Sequence, residues 1–233
     1  MIDQNRLMEK AARYEIDAQS VAQKLDDYAA YLVEYNEKVN LTAITDPEGI
    51  EDRHFIDSLL LADCPEVAGR VVDVGTGAGF PGVVAKLYRP EIDLTLMEPT
   101  GKRVEFLRSL CERLDITADV VKERAEEAAR KQWRETFDVA TARAVAALPA
   151  LAESCLPLVK VGGWFITMKG ANAEEEMESA AGAVKKLGAV LEKELSFVLP
   201  DNSLRSLIFY RKVSPTPPAS PPNGGKFAKA PWR

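Results

Sequence analysis

The sequence predicts an α/β protein: a mostly parallel sheet closed by an antiparallel hairpin strand, with an N-terminal helical extension. Three observations carry this prediction. From Arg70 onward, short apolar stretches of strand length alternate with helical ones, the pattern of a parallel sheet covered on both faces. A Gly-rich loop follows the first of these strands directly. Near the end, two extended stretches meet at a turn with no helix between them.

The elements follow in order. Val21, Leu25, Tyr28, Leu32, Tyr35 and Val39 recur at alternating steps of four and three, so the first forty residues read as helical, with this stripe packed on the main domain. Asn40-Leu41-Thr42 breaks the pattern, and Asp46-Pro47-Glu48-Gly49 reads as a turn. Residues 54–61 read as a helix entering the main domain. Strands are expected at 71–74, 93–98, 118–121, 137–142 and 163–168. Between them, 102–114 is helical, with Val104, Leu107, Leu110 and Leu114 on one face. Pro81 suits the first turn of the helix after the Gly-rich loop, where its missing N–H costs nothing. Residues 189–199 and 204–213 form the hairpin around Pro200-Asp201-Asn202-Ser203. The Pro- and Gly-rich end is expected to lack regular structure. The chain thus divides into an extension (1–62), a main domain (63–213) and a basic tail (214–233).

Composition narrows the function. At 233 residues and 46% hydrophobic content, the chain suits one sizeable domain with an appendage. Its apolar runs fall far short of the roughly 20 residues that span a bilayer. The N-terminus alternates charged and apolar residues, unlike an export signal. Both features point to the cytoplasm. Cys64, Cys111 and Cys155 lie far apart and form no C-x-x-C pair, and His54 is the single histidine, which speaks against a four-ligand zinc site. The cysteines read as plain thiols of a reducing compartment, no metal is expected, and no serine sits in G-x-S-x-G to use His54 in a triad. The net charge is −6, yet it is uneven. Residues 1–60 carry thirteen acids against six bases, whereas Arg211, Lys212, Lys226, Lys229 and Arg233 have no acid among them. A local basic contact surface on an acidic protein is therefore available.

The stretch Val71-Val72-Asp73-Val74-Gly75-Thr76-Gly77-Ala78-Gly79-Phe80-Pro81-Gly82 carries the chemistry. Alternating glycines between a strand and a helix let backbone approach a ligand where a Cβ would collide. Residues 77–82 also satisfy G-x-G-x-x-G, the dinucleotide fingerprint, so an NAD-dependent oxidoreductase is one reading. That register buries Gly75-Thr76 inside the strand, displacing its natural end at Val74. Read from Gly75, the pattern is Asp-x-Gly-x-Gly-x-Gly, a form associated with methyltransferases. Glu98 ends the second strand twenty-three positions beyond Gly75, where a carboxylate can accept both ribose hydroxyls. Arg124-Ala125-Glu126, after the third strand, is placed for contacts to an adenine ring. The fourth strand ends in Thr141-Ala142-Arg143-Ala144, without the Asn/Asp-Pro-Pro-Tyr segment of enzymes that methylate exocyclic amines. A cytosine-C5 enzyme needs a nucleophilic cysteine, but Cys155 lies in a helical run and reads as core. The target atom should then carry its own lone pair, as guanine N7 does.

These residues resemble a known family, the bacterial small-subunit rRNA guanine-N7 methyltransferases, also called glucose-inhibited division protein B. The match runs through Asn40-Leu41-Thr42, Arg53-His54, Asp57-Ser58 and the whole stretch from Asp73 to Gly82. It continues in Gly101-Lys102-Arg103-Val104-Glu105-Phe106-Leu107, Arg143-Ala144 and Lys169-Gly170, covering roughly residues 35–212. The resemblance implies a Rossmann-like methyltransferase fold and methylation of one guanine in 16S rRNA of the small ribosomal subunit. It implies S-adenosyl-L-methionine held by Gly75, Phe80, Ala125, Glu126 and Arg143, to which the motif reading adds Gly77, Gly79 and Glu98. Glu98 stands where the family commonly has aspartate, and Pro99-Thr100 replaces a more usual Ser-Leu pair. Arg143 and Lys169 are candidates to position the cofactor carboxylate or guanine O6, and Lys102, Arg103 and Arg108 to meet phosphates. A monomer acting on rRNA is expected. A non-catalytic ribosome-binding protein is the remaining alternative, and the complete set of glycines, Glu98 and Arg143 speaks against it.

Overall fold

The computed structural model describes residues 1–143 and 145–222. The first forty residues are helical as expected and form two helices. Asp3 caps α1 (Gln4–Ala12), its carboxylate accepting from Arg6 N at 3.1 Å. The chain reverses at Glu15, whose φ is 63°, before α2 (Ala22–Asn36). The predicted stripe buries Leu25, Tyr28 and Leu32 on α2, with Val21 at its N-cap.

The stretch read as a turn at 46–49 is the start of a helix. Asp46 accepts from Gly49 N at 2.7 Å and caps α3 (Pro47–Ile50), with Pro47 in the first turn. Turn and helix start share one signal, because both use an aspartate acceptor followed by the fixed φ of proline. From α3 the chain runs on through a π-helical segment, Glu51–Ile56, into α4 (Asp57–Ala62). The helix expected over 54–61 is therefore the second half of a longer one.

The main sheet then alternates strand and helix: β1 (Arg70–Val74), α5 (Gly82–Tyr88), β2 (Asp93–Met97), α6 (Gly101–Arg113), β3 (Asp119–Val121), α7 (Ala125–Ala128) and β4 (Phe137–Arg143). It continues as α8 (Leu148–Cys155), β5 (Val159–Lys169), α9 (Ala173–Lys186), β6 (Ala189–Val198) and β7 (Leu204–Lys212). The order across the sheet is β3-β2-β1-β4-β5-β7-β6. The first five strands are parallel, and β7 inserts antiparallel between β5 and β6, as the terminal hairpin predicts. Pro81 stands just before α5, at its N-cap. β5 starts earlier than expected, because its glycines Gly162 and Gly163 lie inside the strand, where its register with β4 shifts.

One face of the sheet packs Val71, Leu94, Leu96, Val139 and Ile166 against α1 to α6, so the extension and the sheet share one core. The other packs Val72, Val74, Ala140, Phe165 and Ile208 against α7 to α9. Residues 214–222 have no helix or strand but are tied down. Thr216 N donates to Glu135 Oε1 at 2.7 Å, and Arg134 donates to the carbonyls of Thr216, Pro217 and Ser220. Ala144 and the tail cations Lys226, Lys229 and Arg233 lie outside the described residues.

Candidate active site and cofactor cleft

Strand order reverses between β1 and β4, so their carboxyl ends flank the switch point at which open α/β sheets hold ligands. The loop leaving β1 places Gly75, Gly77 and Gly79 at φ 65°, 60° and 98°, a region L side chains avoid. Their surroundings differ. A Cβ on Gly75 would meet Val145 Cγ2 at 2.8 Å, and one on Gly77 would meet only Gly75 O at 3.9 Å. A Cβ on Gly79 would strike Tyr28 Oη at 2.6 Å and Val83 Cγ2 at 2.8 Å. Gly79 therefore makes room for the protein's own core, not for a ligand as its motif position suggested. Phe80 also turns inward. Its ring is buried, stacked on Tyr28 at 4.9 Å and on His54 at 4.4 Å.

A cleft of about 290 Å³ opens beside this loop, walled by Gly75, Met97, Glu98, Thr100, Arg103, Ala125 and Glu126 among others. Glu98 is 2% exposed, and its two oxygens accept Thr100 N at 2.9 Å and Gly77 N at 3.1 Å. The carboxylate is thus held in place with lone pairs left for further donors. Arg103 approaches it at 3.8 Å. Ala125 and Glu126 open α7 across the cleft. Beneath the loop, burial pushes the Asp73 carboxyl up to about 6. Its Oδ2 accepts from Thr76 Oγ1 and Gly82 N, while Oδ1 has no donor among the described residues. Thr141, paired with Asp73 across β1 and β4, has a buried hydroxyl that is also unpartnered. The cleft itself is lined by the carboxylates of Glu98, Glu123 and Glu126, which suits a cationic nucleoside cofactor.

Val145 also lines a second cavity of about 1070 Å³, over the carboxyl ends of β4 and β5. Its walls come from three distant parts of the chain: Arg53 and His54 from the π-helical segment, Arg143, Lys169 and Glu176 from the sheet domain, and Arg205 from β7. Asp57 holds two of them together. It is fully buried, accepting from Arg143 Nη1 at 2.9 Å and Arg205 Nε at 2.5 Å. Arg143 donates further to Arg53 O at 2.8 Å, and its guanidinium carbon lies 5.1 Å from the centre of the Phe80 ring. Arginine has no acceptor, so its contact with His54 Nδ1 at 3.3 Å is a hydrogen bond in the tautomer that carries the proton on Nε2. His54 Nε2 then donates to Thr42 Oγ1 at 3.0 Å. Burial, with Arg143 beside it, pushes the His54 pKa down to about 3. Lys169 Nζ donates to Ala146 O at 2.8 Å and Glu176 Oε2 at 2.7 Å.

A family model for rRNA small subunit methyltransferase G matches residues 21–208. The chain belongs to this family. A ribosomal RNA small subunit methyltransferase G of Symbiobacterium thermophilum is 48% identical, with 85% of each chain covered. That of Halalkalibacterium halodurans is 46% identical, with 92% of each covered. That of Desulfitobacterium hafniense is 42% identical, covering 97% of this chain and 95% of the relative. Among solved structures, an O-methyltransferase from Bacillus cereus in complex with SAH superposes with a TM-score of 0.58 at 16% identity, over 80% of this chain and 91% of that one. A SAM-dependent O-methyltransferase from Thermotoga maritima gives 0.51 at 14% identity, over 80% and 72%. At such identities they speak to the fold, which is that of Rossmann-like methyltransferases. The oxidoreductase and binding-only readings gain no support.

The structure gathers Gly75, Glu98, Ala125 and Glu126 at the smaller cleft and Arg143 and Lys169 at the larger cavity. Lys102 and Arg108 are exposed on α6, and Arg108 lines a separate groove with Asp115 and Asp119. Cys155 is buried in α8, and burial holds its thiol well above the usual range, which removes it as a nucleophile. Sequence reasoning did not single out Glu176 or Arg205, and reached Asp57 only through a family string. Asp57 did leave a signal, a carboxylate in the apolar run Phe55-Ile56-Asp57-Ser58-Leu59-Leu60-Leu61. Such a residue must be paired when the run is buried.

Proposed function

We propose that the chain transfers a methyl group from S-adenosylmethionine to N7 of a guanine in small-subunit rRNA. One observation carries the reading: a nucleoside-sized, carboxylate-lined cleft abuts, across Val145, a larger cavity lined by Arg53, Arg143, Lys169 and Arg205. Glu98 would accept the ribose hydroxyls, Ala125 and Glu126 would flank the adenine, and the backbone of Gly75 and Gly77 would border the methionine part. When bound there, S-adenosylmethionine supplies an electrophilic methyl on a cationic sulfonium. The larger cavity would take a base turned out of the RNA, since chemistry on a base requires it to leave its stack.

The protein's own residues then position rather than activate. Guanine N7 brings a lone pair, so no proton need leave it before transfer. His54 is uncharged with both ring nitrogens engaged, and Cys155 is buried, so neither serves as base or nucleophile. Arg143, locked by Asp57 and Arg53 O, and Lys169 supply fixed positive charge at the rim where the nucleotide enters. All these walls belong to one chain, so a monomer suffices, and an rRNA substrate sets the reaction in the cytoplasm. The test is transfer of labelled methyl from S-adenosylmethionine to small subunits lacking the modification, with the nucleoside product identified. Label recovered as 7-methylguanosine at one position is expected. Label on another atom or on protein would overturn the reading.

A further inference from the structure

Lys169 is paired with Glu176, a residue to which the methyl transfer described above gives no role. Both line the larger cavity, at the end of β5 and in the first turn of α9. Glu176 Oε2 is committed, accepting Lys169 Nζ at 2.7 Å and Leu148 N at 2.8 Å. Its Oε1 has no donor among the described residues, and the side chain is 28% exposed, so that oxygen is open to the cavity. The ammonium carries three hydrogens; Ala146 O and Glu176 Oε2 take two. The cavity therefore presents one free donor beside one free acceptor, fixed relative to each other by an ion pair and a helix-end hydrogen bond.

That order selects among bases. Guanine offers the acceptor O6 next to the donor N1–H, with the donor N2 amine beyond. Adenine offers a donor amine next to the acceptor N1, the reverse. We propose that Lys169 and Glu176 read the target base, Lys169 donating to O6 and Glu176 Oε1 accepting from N1–H and the N2 amine. This assignment rests on the guanine reading above. A buried mismatch of this kind, two donors or two acceptors facing each other, leaves polar groups unpaired and discriminates strongly. Because the pair addresses O6, N1 and N2 on the Watson–Crick edge, N7 on the adjoining Hoogsteen edge stays free for the methyl.

The test compares Glu176→Gln with the wild type on ligated small-subunit rRNA carrying guanine or 2-aminopurine at the position the wild type methylates. 2-Aminopurine keeps N7 and the N2 amine but lacks O6 and has no hydrogen on N1. Glu176→Gln should lose about ten- to a hundredfold in kcat/KM on guanine, chiefly through KM, the discrimination of one good bidentate base contact. On 2-aminopurine it should lose at most a few-fold, and its affinity for S-adenosylhomocysteine should match the wild type. A residue that merely caps α8 and steadies Lys169 would lower both substrates by the same factor. Equal losses, or no loss on guanine, overturn the proposal. If Glu176→Gln fails to hold S-adenosylhomocysteine, Lys169→Met is measured on the same two substrates by the same criterion. The nucleoside product of the wild type is scored separately. 7-Methylguanosine together with equal losses rejects the base reader and leaves the guanine reading standing.

Discussion

Gly77 and Gly79 sit two residues apart in one loop, yet alanine should fail at each for a different reason. At Gly79 the added Cβ would lie 2.6 Å from Tyr28 Oη and 2.8 Å from Val83 Cγ2, at φ 98°. The backbone strain costs about 1–3 kcal/mol, and overpacking adds about 1–3 kcal/mol. The middle of that sum, about 4 kcal/mol, lowers the midpoint of a chain this size by roughly 12 °C. At Gly77 the Cβ meets only Gly75 O at 3.9 Å, so the cost is left-handed strain alone. That is about 1–2 kcal/mol, or roughly 3–6 °C. The same Cβ stands on the open side of the loop, where the cofactor would pass. Gly77→Ala should therefore lose tenfold or more in affinity for S-adenosylhomocysteine. Thermal denaturation and titration calorimetry on both variants check this. A Gly79→Ala protein as stable as the wild type, or a Gly77→Ala protein that binds S-adenosylhomocysteine normally, would refute the division of roles.

Other outcomes follow from the same geometry. Glu98→Ala removes a buried charged acceptor worth about 1.5–3 kcal/mol, so S-adenosylhomocysteine affinity should fall by about one to two decades; unchanged calorimetry would reject the ribose assignment. Asp57→Asn leaves the Arg143 and Arg205 guanidinium groups together without their carboxylate, at a cost of about 3 kcal/mol, read as a lower denaturation midpoint and a loss of methyl transfer. With His54 depressed to about 3 from 6.5, the unfolded chain binds the extra proton, so this residue's contribution is full above pH 6.5 and drains away as pH falls toward 3. His54→Gln should thus cost about 2 kcal/mol more at pH 7 than at pH 5 by denaturant unfolding. Asp73, raised to about 6, acts with the opposite sign between its unfolded value and 6, which is why the difference between variant and wild type is the informative quantity. Removing residues 223–233 should flatten the salt dependence of small-subunit binding, since Lys226, Lys229 and Arg233 leave with them. Cutting after Val213 should destabilise instead, because it takes Thr216 from Lys212 and Glu135.

The sheet was legible because its signals are local. A strand running into alternating glycines, and two strands joined by Pro-Asp-Asn-Ser, need no distant information. The cleft was legible for a related reason: Glu98 and Ala125-Glu126 each follow a strand, and the carboxyl ends of parallel strands share one side of the sheet. Long-range geometry was not legible. The positions of Phe80 and Gly79 depend on Tyr28, fifty residues earlier. The π-helical segment has no periodic signature of its own, and Asp46-Pro47 announces a turn and a helix start in the same letters. Glu176 lies among the acids that open α9, and only its contacts with Lys169 and Leu148 N separate it from Glu174 and Glu175.

The dependence of the larger cavity on Asp57 has a consequence for when the protein becomes competent. Asp57 is made early, Arg143 much later, and Arg205 only with β7. β7 must also enter between β5 and β6 before the outer strand has a partner. A growing chain that has reached α8 already holds the parts of a cofactor cleft. It has no finished chamber for the base, because one of the two arginines on Asp57 is still missing. A finished chamber for the base thus waits on β7, because only then does Asp57 of the extension hold both of its arginines.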